Sequence, residues 1–233
     1  MPALPHSNKT FRNPILPGFY PDPSICRAGD DYYLVTSSFE YFPGIPLFHS
    51  RDLVHWRQIG HVLSRPSQLD LDGVPASYGI YAPTIRFHGG RFYVITTLRK
   101  QDGMHCFFVT AENPAGPWSE PVWLEGAPGI DPSLFFDTDG RVWCTGNGIS
   151  PGGEKYPGQR AIWMQEVDLV AGKLREARHW IWDGAEPGMQ YVEAPHLYRV
   201  NDVYYLLTAE GGHRYQPYGM CRAQHLAHRP VQK

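Results

Sequence analysis

The 233 residues carry 21 Lys and Arg against 23 Asp and Glu, a formal net charge of −2 that gives no electrostatic reason to expect a nucleic acid or an anionic membrane as a partner. Apolar residues make up 42% of the chain and charged residues 19%, which argues against disorder and allows one large domain or two small ones. The 24 Gly and 22 Pro, with 14 Tyr, 11 Phe and 7 Trp, favour many turns and short strands over long helices.

Four segments of the chain repeat one pattern. Each begins at a proline, continues through an apolar stretch and a tight-turn sequence, and ends with a β-rich run that closes on threonine. Pro23 and Thr36 lie 13 positions apart, and the same offset separates proline from threonine in the other three segments. In chain order the segments are 22–36, 82–96, 131–145 and 194–208. Each predicts a β-hairpin.

The spacing of the hairpins leaves room for more strands. Successive repeat prolines are 60, 49 and 63 residues apart, enough for two further strands per unit. Candidates for these strands are 49–50 with 56–59, and 106–109 with 122–123. Four strands repeated at this period are typical of propeller blades, whereas a β-sandwich would not repeat one pattern. We therefore predict an all-β propeller, with blades one to four in residues 1–212.

The last residues do not follow the repeat. Residues 213–233 lack apolar alternation and are rich in His and Arg, so we expect an anomalous tail there instead of two more strands. The propeller predicted from this chain is accordingly incomplete, with about four blades.

Carboxylates recur where the hairpins begin. Asp22 and Asp131 directly precede their repeat prolines, and Glu193 lies one position earlier in the fourth unit, before Ala194. A single Asp-Pro is usually a turn opener. Three acids at equivalent positions around one axis would lie together, and like charges at close range raise one another's pKa. A general acid beside a general base is the equipment of glycoside hydrolysis.

Four motifs carry a resemblance to a known family. Residues 13–24, 37–44, 129–133 and 192–196 closely resemble the family 43 glycoside hydrolases, and within them the bacterial β-xylosidases. The similarity covers about residues 11–212, and the tail beyond shows none. The family implies a five-bladed propeller and an inverting mechanism without a covalent intermediate.

The resemblance also implies roles for individual residues. Asp22 would be the general base that activates water, Glu193 the general acid, and Asp131 the residue that orients the acid and tunes its pKa. Inversion requires the carboxyl groups of base and acid to lie about 6.5–9.5 Å apart. Phe39 and Tyr81 would bind substrate by stacking on the sugar, although relatives commonly carry Trp where Tyr81 stands; ordinary core or rim packing is the alternative for both.

The family's fifth blade supplies a substrate-binding Arg and an axial His, and neither has a counterpart here. A structural Ca²⁺ is known in the family, but this sequence offers no convincing ligands, so we predict no metal and no cofactor.

The expected substrate and partner is a xylo-oligosaccharide, cleaved at terminal β-1,4-linked xylose. An α-L-arabinofuranosidase of the same family and an inactive propeller fragment that binds carbohydrate are the alternatives. Oligomerisation could cover an open edge, but no motif supports it. Four scattered cysteines without a C-x-x-C motif and an N-terminus without an apolar signal segment favour a cytoplasmic protein.

Overall fold

The computed structural model describes residues 10–184, 187–211 and 220–226, with residues 176 and 220–226 described by their backbone alone. Within these ranges the regular structure consists of β-strands, arranged in four antiparallel sheets, with no helix. The predicted all-β class is confirmed.

The four sheets follow one another along the chain. Sheet one contains β1 (Ser24–Ala28), β2 (Asp31–Val35), β3 (Gly44–Ser50) and β4 (Arg57–Leu63). Sheet two contains β5 (Gly79–Ile80), β6 (Thr84–His88), β7 (Arg91–Lys100), β8 (Gly103–Ala111) and β9 (Val122–Trp123), with both β5 and β6 paired to β7. Sheet three contains β10 (Ser133–Phe136), β11 (Val142–Gly148), β12 (Ala161–Asp168) and β13 (Lys173–Trp182). Sheet four contains β14 (Glu193–Val200), β15 (Val203–Glu210) and β16 (Met220–Leu226).

Each predicted hairpin forms at its repeat proline. In the second hairpin His88 pairs with Arg91 across Gly89 and Gly90, whose φ values are 57° and 78°. The fourth hairpin closes in the same way through Asn201 and Asp202, at φ 49° and 64°. Two consecutive positive φ angles define the turn whose twist matches that of antiparallel strands, and Gly, Asn and Asp adopt them most readily.

The first strands of the hairpins lie at the centre. Strand β1 packs against β6, β6 against β10, and β10 against β14, so the sheets succeed one another around a common axis. Apolar side chains fill the space between neighbouring sheets. Examples are Val35 with Val94 and Phe107, Phe108 with Leu134 and Trp163, and Ile162 with Leu197 and Leu206. The structure is that of an incomplete β-propeller with about four blades, as predicted.

One strand lies where we expected only a tail. Strand β16 pairs with β15 from Tyr204↔Leu226 to Glu210↔Met220, within residues 213–233. Pairing to an existing strand edge uses backbone groups and does not require apolar alternation, which explains why the pattern gave no sign of it. The rest of that segment lies outside the described residues, and the domain boundary near residue 212 stays a prediction.

Candidate active site

The residues next to the repeat prolines have an unusual backbone. Asp22, Asp131 and Ala194 directly precede prolines and have φ values of 54°, 56° and 50°. Non-glycine residues rarely adopt this left-handed conformation, and a following proline disfavours helical values still further. The same strained conformation in blades one, three and four points to a functional constraint at this end of the axis.

Asp22 is exposed and held by one neighbour. The hydroxyl of Ser37, just after β2, donates to Asp22 Oδ2 at 2.5 Å, and the Ser37 amide donates to the Pro21 carbonyl at 3.1 Å. The two contacts fix the direction of the carboxylate while it remains open to water.

Asp131 joins blades three and four. The Ala194 amide donates to Asp131 Oδ2 at 3.2 Å, which ties the carboxylate to the residue directly after Glu193. Burial raises the pKa of Asp131 well above its ordinary value, and the charges of Glu193 and Asp22 raise it further. The three carboxyl groups therefore oppose one another's ionisation.

Glu193 has the pKa that an acid catalyst needs. Burial and the charge of Asp22 raise its pKa from 4.5 to about 7, against the opposing charge of Arg160. A carboxyl group with a pKa near 7 carries a proton that it can donate at neutral pH. The structure thus brings Asp22, Asp131 and Glu193 together into one electrostatically coupled group.

An aromatic wall, which we define as Phe19, Phe39 and Tyr81, borders this group. The ring of Phe39 lies 5.7 Å from that of Tyr81 and 6.0 Å from that of Phe19. Burial chiefly raises the pKa of Tyr81, and the charge of Asp131 also contributes, which places this ring beside the carboxylates.

The backbone of the wall is fixed by a bridge between blades. Phe39 and Ile80 exchange two backbone hydrogen bonds of 2.9 Å. This close approach requires glycine at position 79, because a Cβ there would lie 2.1 Å from the Phe39 carbonyl oxygen.

Residues 11–232 match the sequence model of "Glycosyl hydrolases family 43". The chain belongs to glycosyl hydrolase family 43. The match runs past residue 212, where we placed the end of the resemblance.

Relatives of this family 43 chain include two curated enzymes. A "Xylosidase/arabinosidase" of Butyrivibrio fibrisolvens is 56% identical over 202 residues, which cover 86% of this chain and 38% of the relative. A "Non-reducing end alpha-L-arabinofuranosidase" of Bacteroides ovatus is 49% identical over 212 residues, which cover 90% of this chain and 38% of the relative. The chain thus spans about two fifths of the length of these relatives.

Solved structures agree with the fold. The crystal structure of a xylan β-1,4-xylosidase from Bacillus halodurans superposes with a TM-score of 0.81 at 46% identity, covering 87% of this chain and 39% of that one.

Sequence reasoning missed two residues of the site. Phe19 stands three positions before Asp22, inside the first family motif, but nothing in the pattern singled it out. Asn147 is buried, and its side-chain oxygen accepts a hydrogen bond from the Ile130 backbone amide at 2.9 Å. The backbone amide of Asn147 donates in turn to the Ile130 carbonyl at 3.1 Å. It thereby fixes the segment that carries Asp131, and the glycine at 129 was the available signal.

Among the described residues, no three His, Cys, Asp or Glu side chains are grouped so that they could hold a metal ion. We therefore derive no step through Ca²⁺ or any other metal, and the expectation of none stays a prediction. The described part of the chain also contains no helix with the length and apolarity needed to cross a membrane.

Proposed function

We propose that the protein is a glycoside hydrolase that removes terminal xylose from β-1,4-xylo-oligosaccharides with inversion at the anomeric carbon. The observation that carries the proposal is the coupled carboxylate group, in which Asp22 is open to water and the pKa of Glu193 is about 7. One group can therefore accept a proton while the other donates one.

In the proposed mechanism Asp22 takes a proton from the water that attacks the anomeric carbon. The bond from this carbon to the glycosidic oxygen breaks, and Glu193 gives its proton to the departing oxygen. Asp131 orients the acid by accepting the hydrogen bond from the Ala194 amide. Both carboxyl groups are then reset by exchange with solvent.

The aromatic wall supplies the sugar contact in this proposal. The flat faces of Phe39 and Tyr81 match the apolar face of a pyranose ring, and the exposed ring of Phe19 extends the wall outward.

Activity on α-L-arabinofuranosides is the second candidate. It is favoured by the Bacteroides ovatus relative, whose name states that activity. Both sugars are pentoses, and the same acid and base would serve both reactions. A non-catalytic module that binds carbohydrate is the third candidate.

The deciding experiment compares hydrolysis of xylobiose, nitrophenyl β-xyloside and nitrophenyl α-arabinofuranoside by the parent with that of Asp22→Asn and Glu193→Gln. We expect both variants to lose at least about 10²-fold in kcat on xylobiose. Asp30→Asn is the matched control, because this carboxylate lies in the exposed β1–β2 turn and pairs with Arg27.

NMR of the first product should show the α-anomer of xylose. Faster arabinoside cleavage supports the second candidate, and sugar binding without hydrolysis supports the third.

A cytoplasmic location is part of the proposal. It is supported by Cys26, Cys106 and Cys144, which are free thiols as is usual in a reducing compartment.

A further inference from the structure

The inner strands carry a second layer of polar residues below the carboxylates. The residue after each repeat proline is polar in all four blades: Ser24, Thr84, Ser133 and His196. Because side chains alternate along a strand, the residue two positions further on points to the same side. In blade two that residue is Arg86.

Arg86 reaches from blade two into blades three and four. Its guanidinium donates to the Ile85 carbonyl at 3.0 Å, the Leu134 carbonyl at 3.1 Å, the Ser133 hydroxyl at 3.2 Å and His196 Nδ1 at 3.0 Å. Ser133 and Leu134 therefore stand two and three residues after Asp131, and His196 stands three residues after Glu193.

The cation does not act by neutralising the carboxylates. Among the described residues no ion pair involves Arg86, and its charge is not among the causes that lower the pKa of Asp131 or Glu193. The guanidinium carbon of Arg86 lies 5.7 Å from the centre of the Tyr198 ring. The contacts of Arg86 are thus geometric links between blades.

His196 is a neutral acceptor in this network. Burial, and then the charge of Arg86, lowers its pKa from 6.5 to about 3. An arginine is always protonated and can only donate, so Nδ1 must accept and Nε2 must carry the hydrogen. The contact consequently holds the imidazole in one tautomer.

Strand β14 needs such a link because its pairing is irregular where Glu193 lies. Glu193 pairs with Ala209 and His196 with Leu207, so the register shifts between them. The intervening Ala194 is left-handed. Contacts across blades fix this stretch instead: Thr145 donates to the Pro195 carbonyl at 3.3 Å and Arg86 to His196.

Blade one is tied to the same strand. The Ile85 amide, next to Arg86, donates to Ser24 Oγ at 3.1 Å, two residues after Asp22. Strand β6 therefore contacts the segment that follows each of the three carboxylates.

We propose that Arg86 is a positioning residue that sets the placement of Glu193 and Asp131 relative to Asp22. The inference rests on the proposed function. A misplacement of about 1 Å at a reacting group can cost roughly 10²-fold in rate.

The test compares Arg86→Lys with Arg91→Lys. A lysine at 86 is a point charge that cannot form the fork of contacts, whereas Arg91, in the same hairpin, makes an exposed pair with Glu112. On xylobiose, whose leaving group needs protonation, we expect Arg86→Lys to lower kcat at least about tenfold with KM little changed. On a dinitrophenyl xyloside, whose leaving group departs without a proton, the loss should be under about threefold. Arg91→Lys should match the parent on both. Equal losses on both substrates would indicate general damage to the fold and overturn the proposal.

A second pair of variants covers the case in which Arg86→Lys fails to fold. His196→Asn keeps an acceptor near Nδ1 and should retain the parent's ratio of rates on the two substrates, while His196→Leu removes the acceptor and should reproduce the Arg86→Lys pattern. Identical behaviour of these two variants would contradict the role of the Arg86–His196 contact.

An NMR measurement separates this inference from the proposed function. The pH titration of the Ala194 amide, which donates to Asp131, reports on the carboxylate group without turnover. We expect its midpoint to shift in Arg86→Lys and to stay in Arg91→Lys. If the parent hydrolyses no pentoside, the proposed function fails and the titration alone decides the positioning role; an unchanged midpoint in Arg86→Lys overturns it in either case.

Discussion

Blade two and its neighbours share a backbone but differ in what they carry at the axis. Blades one, three and four bring Asp22, Asp131 and Glu193 to the start of the inner strand, whereas blade two has Ala82 there. Blade two contributes Tyr81 beside the carboxylates and Arg86 below them. The comparison teaches that the repeat preserves the hairpin and its turn, while the few axial side chains are free to diverge into acids, an aromatic ring and a linking cation.

The segment that carries Asp131 depends most on one glycine, and replacing this glycine should have the largest effect on stability. Gly129 has φ 70°, and a Cβ there would lie 1.9 Å from the Asn147 carbonyl oxygen. We expect Gly129→Ala to lower the free energy of unfolding by more than about 3 kcal/mol, measured by urea denaturation. Gly126→Ala is the control, since Gly126 has φ 76° but open space around it, and should cost about 1 kcal/mol. Equal losses would show that the close approach to Asn147 is unimportant.

The next largest effect is the pH dependence of stability that arises from the proton on Glu193. Its pKa is about 7 in the folded protein against 4.5 without the fold, so the folded state binds the proton more tightly. The stabilisation is complete below pH 4.5 and disappears as the pH rises through 7, an effect of up to about 3 kcal/mol. Urea denaturation at pH 5 and pH 7.5 should show this decrease in the parent and a smaller one in Glu193→Gln. An identical pH dependence in both proteins would disprove the raised pKa.

Placing a carboxylate in blade two would remove the difference between the blades. We expect Ala82→Asp to add a fourth carboxyl group and to raise the pKa of Glu193 by an amount on the order of one unit. The basic limb of the pH–rate profile on nitrophenyl β-xyloside should move to higher pH. Ala82→Asn, which adds the same bulk without charge, should leave that limb in place, and a shift in both variants would rule out an electrostatic cause.

The smallest effect concerns the ring that blade two supplies. Tyr81→Ala should raise KM by roughly 3- to 10-fold, since an aromatic contact contributes about 0.5–1.5 kcal/mol. Tyr81→Phe keeps the ring face and should change KM less than about twofold. Steady-state kinetics on the same xyloside test this, and a larger effect of Tyr81→Phe than of Tyr81→Ala would contradict stacking.

The hairpins and the three acids could be read from the sequence because each depends on neighbours along the chain. Gly89–Gly90 and Asn201–Asp202 encode their own turns. Asp22 and Asp131 directly precede their repeat prolines, and Glu193 lies one position earlier, so the repeat itself carries the three acids to neighbouring places. Local signals sufficed there.

Other features could not be read because they depend on residues far apart in the chain. Strand β16 forms by pairing with the edge of β15, and Arg86 meets His196 across 110 positions. Asn147 contacts Ile130, 17 positions away, beside the β10–β11 hairpin. The Arg86–His196 contact exists only once the blades are assembled, and no residue pattern predicted it.

The backbone bridge between Phe39 and Ile80 has a mechanical consequence. A rotation of blade one against blade two would strain both of its hydrogen bonds, so we expect the spacing between Phe39 and Tyr81 to stay fixed. Under the proposed function, a pentose would then be selected by a rigid site and not by a closing flap. Hydrogen–deuterium exchange at these two amides should be slow and indifferent to added xylose.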